Sequence, residues 1–147
     1  MDDKHLTRLK FIGFALVGVW KLGEDGIFFE LNDLLNARNV LYAFGVDGQL
    51  VYIGKTVQPL RARMSGYKNP GLTQSTNIKN NRKLHESLNM GGNVEIFILP
   101  DNGLLHYGGF HLNLAAGLED SLIKDLSPAW NGGQKEASNQ TLQPIME

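Results

Sequence analysis

The chain has 147 residues, 42% hydrophobic and 20% charged, which suits one domain with a single core. It contains no cysteine, which excludes disulfides and thiolate metal sites and fits a reducing compartment. The net charge of −1 excludes a uniformly basic coat for a polyanionic partner.

Residues 9–31 read as a β-hairpin, with the apolar runs Phe11–Trp20 and Gly26–Leu31 flanking the turn-rich tip "KLGEDG". Lys4, Arg8 and Lys10 before the first run look like a signal-peptide start. No small-residue cleavage site follows, and ten apolar residues are too few to cross a bilayer, so the run is read as a buried strand. "NDLLNARN" is a connector. "VLYAFGV" and "QLVYIG" are β-rich, and Asp47-Gly48 between them tolerates the positive φ of a two-residue hairpin turn.

Pro59 fits the first turn of a helix running to about Tyr67. "KNPGLTQST" is a loop. Thr76 is placed to cap a second helix over 77–90, which stops at Gly91-Gly92. "NVEIFIL" alternates as another strand, "PDNGLLHYGGF" is a turn-rich loop, and 112–126 forms a third helix ended by Pro128. The tail from 132 to 147 is polar. This order predicts an α+β fold: a small three-stranded antiparallel sheet flanked by helices, with an extra N-terminal β-hairpin that extends the sheet or serves assembly. The expected organisation is an extension over 1–38, a domain over 39–131 and the tail.

Charge is unevenly placed. Residues 48–85 hold seven bases and no acid, while 1–47 carry −2 and 86–147 carry −6. Such an island is the footprint of a phosphate-backbone partner, or the solvated face of a helix. Within it, "STNIKNNRKLHESL" turns Ile78, Leu84 and Leu88 inward. Lys79, Arg82 and Lys83, with Asn77 and Asn80 beside them, would then contact phosphates and base edges. On the last helix, at about 100° per residue, Glu119 falls inside the apolar arc of Leu114, Ala115, Leu118, Leu122, Ile123 and Leu126. A carboxylate there needs a metal ion or a cationic partner such as Arg61 or Arg63. Asp125 shares the arc but sits at the frayed helix end. The histidines, His5, His85, His106 and His111, match no metal spacing and are assigned packing or surface roles.

The hairpin "VLYAFGVDGQLVYIGKT" resembles the paired motif of the GIY-YIG nuclease family. Tyr42 ends the first triplet, which lacks its glycine. Tyr52-Ile53-Gly54 matches the second triplet, followed by Lys55. Arg63 fits the helical arginine of the pattern, with Arg61 as a rival because the gap from Gly54 to Arg63 is one residue longer than in many members. Tyr67, Glu119 and Asn131 of "PAWN" follow in order. The resemblance spans roughly 39–131. Within the family it is strongest to the small phage endonuclease II type and to stand-alone restriction enzymes.

The resemblance implies a metal-dependent endonuclease that hydrolyses duplex DNA in the cytoplasm of a bacterial or phage-infected cell. It acts as a dimer or larger oligomer, because one site cuts one strand. Tyr42 would be the general base, its phenol acidified by Lys55, and Tyr52 would orient the water or contact phosphate. Arg63 would hold non-bridging oxygens and Glu119 would ligate Mg²⁺ or Mn²⁺. Asn131 would close the domain as a structural residue. Arg61, Lys68, Asn77, Lys79, Arg82 and Lys83 are the expected DNA contacts. The alternatives are a DNA-binding module without cleavage and an unrelated fold in which the tyrosines are ordinary strand residues.

Overall fold

The computed structural model describes residues 2–101 and 103–133. A five-stranded sheet runs in the order β2-β1-β5-β3-β4, every neighbouring pair antiparallel. Its strands are β1 (Ala15–Gly23), β2 (Gly26–Leu31), β3 (Val40–Val46), β4 (Gln49–Thr56) and β5 (Val94–Pro100). Helices α1 (Lys4–Phe11) and α4 (Leu114–Leu126) cover one face; α2 (Leu60–Lys68) and α3 (Ser75–Asn89) cover the other. A short hairpin, β6 (His106–Tyr107) and β7 (Phe110–His111), stands apart from the sheet.

The α+β class agrees with the sequence, but the strand count does not. The N-terminal hairpin is part of the one sheet: β1 pairs with β5, so the expected three-stranded core gains two strands on one side. The apolar run from Phe11 is also divided. Its start closes α1, whose N-cap Asp3 accepts from Leu6 N at 2.7 Å. Leu6 and Leu9, one turn apart, are buried beneath it.

Helices on both faces explain why β3 is buried from end to end except at Val46. Val40, Tyr42 and Phe44 point to the α2/α3 side, and Leu41 and Ala43 to the α1/α4 side. Asp47 (φ 52°) and Gly48 (φ 83°) form the expected positive-φ turn. The register then shifts between Phe44 and Gly45, which makes Val51 an extra residue on β4. This bulge inverts the alternation. Leu50 faces the α1/α4 core, while Tyr52, two residues on, faces the α2/α3 core.

Helix α3 starts earlier than expected. Its N-cap is Gln74, and Thr76 lies inside the helix without a capping role. The buried stripe is therefore Asn77, Asn80 and Leu84, with Ile78 only half-buried. The loop before α4 contains the β6–β7 hairpin, which the sequence did not announce. Helix α4 begins at Leu114 on the N-cap Asn113 and ends before Pro128. The polar tail from 134 lies outside the described residues. Among the described residues no helix is long and apolar enough to cross a membrane.

Candidate active site

β4 is an edge strand, and the site is built around it. The bulge sends Tyr52 to the α2/α3 face, where it meets Tyr42 from β3 and Tyr67 from α2. The Tyr42 and Tyr67 hydroxyls share a hydrogen bond, and Tyr67 donates to Tyr52 at 3.4 Å. Arg63, one turn before Tyr67, donates from Nη2 to the Tyr67 hydroxyl at 2.8 Å. Its guanidinium also lies 4.2 Å from the Tyr67 ring centre. The result is a cluster of three phenols on one guanidinium.

Gly54 makes this packing possible. It is the cross-strand partner of Tyr42, and a Cβ at Gly54 would lie 2.6 Å from the Tyr42 hydroxyl. The glycine of the "YIG" triplet is the floor on which the Tyr42 ring rests.

Burial pushes the Tyr42 phenol well above its ordinary value, and nearby Tyr52 adds to the rise; Arg63 and the hydrogen bond with Tyr67 pull against it. Tyr67 is raised for the same leading reason. For Arg63, burial disfavours the charge, but the hydroxyls of Tyr42, Tyr67 and Tyr52 outweigh it and hold the guanidinium more firmly protonated. At neutrality Tyr42 and Tyr67 are therefore neutral phenols beside one cation.

Lys55 is elsewhere, which corrects the expectation that it acidifies Tyr42. By strand alternation it points to the α1/α4 face, and its exposed ammonium lies 3.8 Å from Glu119 Oε1. Glu119 stands half-sheltered on α4, its side chain 23% exposed. Its cationic partner is Lys55, in place of Arg61 or Arg63. Among the described residues no group of three metal-ligating side chains occurs. A single half-sheltered carboxylate still fits Mg²⁺ or Mn²⁺, which take one or two carboxylates and fill the remaining positions with water and phosphate oxygens.

Asn131 spans the edge between the two groups. Its Nδ2 donates to Ile53 O and its Oδ1 accepts from Ile53 N, both at 2.8 Å. The amide thus imitates one residue of a neighbouring strand and closes the edge at the point where the site opens.

The remaining expected contacts divide. Lys68 and Arg82 are exposed, and Lys79 and Lys83 are half-exposed on α3. Arg61 points away from the tyrosines and donates from Nε to Asn36 Oδ1 at 2.8 Å. Asn77 is not on the outer face. It is buried against α2 and donates to Gln74 Oε1 at 3.0 Å, and Asn80 is buried with it, because α3 packs its Asn77, Asn80 and Leu84 face onto the core and so turns both amides away from base edges. Asp125 pairs with Arg8 at 3.1 Å in the open. Asp101 is a residue the sequence reading passed over. Its carboxylate accepts from Gly103 N, Leu114 N and His111 Nε2, which together tie the β6–β7 hairpin to the start of α4. The Gly103 N–H leads in holding its carboxyl below the usual range.

No family model matches the chain. Its fold is shared with nucleases of known structure. A mutant of bacteriophage T4 EndoII superposes with a TM-score of 0.67 at 23% identity, over 88% of this chain and 99% of that one. The restriction endonuclease HPY188I in complex with product DNA gives 0.52 at 16% identity, over 99% and 84%. In sequence, the chain is 28% identical over 131 residues to Endonuclease II of Enterobacteria phage T4, covering 85% of this chain and 92% of that protein.

Proposed function

We propose that the protein is an endodeoxyribonuclease of the GIY-YIG type that hydrolyses phosphodiester bonds in duplex DNA with Mg²⁺ or Mn²⁺. The observation that carries this reading is the pairing, across one edge strand, of a guanidinium–phenol cluster with a sheltered carboxylate. The likeness to Endonuclease II, and to a restriction endonuclease seen with product DNA, supports it.

A phosphate laid across β4 at Gly54 would meet Arg63 on one side and Lys55 with Glu119 on the other. The planar fork of Arg63 suits two non-bridging oxygens. Tyr52 would position the attacking water, and Tyr42 would take its proton. Tyr67 joins both to Arg63 and steadies the phenolate as it forms. Because burial keeps Tyr42 neutral at rest, it works as a base only once charge in the complex offsets that burial. A divalent ion on Glu119, when bound, would supply positive charge for the leaving oxygen. Lys68, Lys79, Arg82 and Lys83 would neutralise backbone phosphates to either side.

A second reading, a module that grips DNA without cutting it, draws support from the Lys55–Glu119 ion pair, which occupies the carboxylate. Incubation with supercoiled plasmid and Mg²⁺ separates the two. Nicked or linear product supports the nuclease. A gel shift with intact plasmid supports the binding module.

A further inference from the structure

Residues 69–74 join α2 to α3, well inside the stretch 48–85 that holds seven bases and no acid. Gln74 N donates to Gly71 O at 3.1 Å, so Leu72 and Thr73 are the two corner residues of a β-turn. The turn is braced. Gln74 Oε1 accepts from Gly71 N at 2.8 Å and from Asn77 Nδ2 at 3.0 Å. Gly71 leaves room for that amide, since a Cβ there would lie 3.1 Å from Gln74 Oε1. Asn81 Nδ2 donates to Tyr67 O at 2.8 Å and so ties the end of α2 to α3.

Turn corners favour glycine, proline and small polar residues. Here one corner is a leucine, and at 97% it is the most exposed large apolar residue among the described residues. A lone leucine on a mixed surface needs no explanation. Leu72 has a different setting. Lys68 closes α2 just before the turn, Lys79, Arg82 and Lys83 follow on α3, and the first turn of α3 carries no acid. A surface of this sign attracts a phosphate backbone. On a duplex, the large apolar surface that a leucine could be buried against is the stacked faces of the bases.

We propose that Leu72 is a wedge that enters between two stacked base pairs of the bound duplex, unwinding and kinking it beside the cleavage site. The proposal rests on the duplex-DNA reading above and adds how that DNA is shaped. A braced turn suits the role, because unstacking a base step already costs free energy, and a loose loop would add the cost of its own ordering. Lys68 and the bases of α3 neutralise phosphates near the kink. Leu72 is five residues from Tyr67, a reach of at most about 18 Å. The kink therefore falls within about one helical turn of the phosphate held at Arg63. Steps that unstack easily, a pyrimidine followed by a purine, become the preferred neighbours of the cut.

The test needs neither a known recognition sequence nor cleavage. The full chain is added in EDTA to relaxed closed-circular plasmid, and a topoisomerase that works without metal relaxes the complex. Protein is then removed and the topoisomers are resolved on a gel, with bound protein measured in parallel. Wild type is expected to leave the plasmid negatively supercoiled in proportion to the protein bound. Leu72→Ser is expected to cut that shift per bound chain at least about fivefold, and Leu72→Met, which keeps an apolar tip, to retain it. Neither substitution touches the core, so both are expected to melt as wild type does. Bound wild type without a shift, a full shift from Leu72→Ser, or a loss in Leu72→Met equal to that in Leu72→Ser would each overturn the wedge and leave the duplex reading standing. Wild type that does not bind the plasmid would overturn both. If the shifts are as expected and wild type then makes no cut with Mg²⁺, the wedge stands and only the cleavage reading fails.

Discussion

Tyr42 occupies the space that a side chain at Gly54 would need. Gly54→Ala is therefore expected to destabilise the fold by about 1–3 kcal/mol through overpacking, measured by urea denaturation, and to swing the phenol out of reach of Tyr67. The raised phenols also set a pH dependence. Above the ordinary tyrosine value of 10.0 the unfolded chain releases the Tyr42 and Tyr67 protons while the folded chain keeps them. The folded state then binds more protons, so stability is full below that value and falls as pH rises through the folded values. Urea midpoints followed from neutrality into alkali should show this loss, and Tyr67→Phe should shrink it. An unchanged slope in the variant would contradict the placement of Tyr67. Arg63→Lys keeps the charge but loses the fork and the ring stacking. Cleavage is expected to drop by at least about 100-fold, with the fold intact by circular dichroism.

At the scale of elements, β4 is held by contacts that the sequence displays unequally. The Asp47-Gly48 turn is a local signal, because the two residues that need positive φ stand between two apolar runs. The bulge at Val51 has no such signal, yet it alone sends Tyr52 to the tyrosine side. The Lys55–Glu119 pair was also hidden, since it depends on which sheet face α4 covers. Helix α1 could have been found from Asp3 with Leu6 and Leu9, but the strongly apolar run that follows hid its end. Asn131 was legible as structural and not as a strand mimic. Asn131→Asp keeps an acceptor for Ile53 N but loses the donor to Ile53 O and sets a charge against that carbonyl. It is expected to cost about 1–3 kcal/mol in denaturant unfolding. A variant as stable as wild type would show that the edge does not depend on the amide.

For the whole molecule, the single sheet ties the N-terminal segment to the half that carries the tyrosine cluster. β1 lies between β2 and β5, and its Val17 and Trp20 are buried in the same core as Tyr42 and Tyr67. Deletion of residues 1–38 is expected to abolish the cooperative thermal transition seen by circular dichroism. A sigmoidal melt for the fragment would instead make 39–131 a domain in its own right. Whether the two groups flanking β4 act together is decided by cutting supercoiled plasmid with Mg²⁺, comparing wild type with Tyr42→Phe and Glu119→Ala at matched DNA binding. The expected result is nicked or linear product from wild type and none from either folded variant. Undiminished cutting by either variant, or an intact plasmid with wild type bound to it in both Mg²⁺ and Mn²⁺, would contradict it.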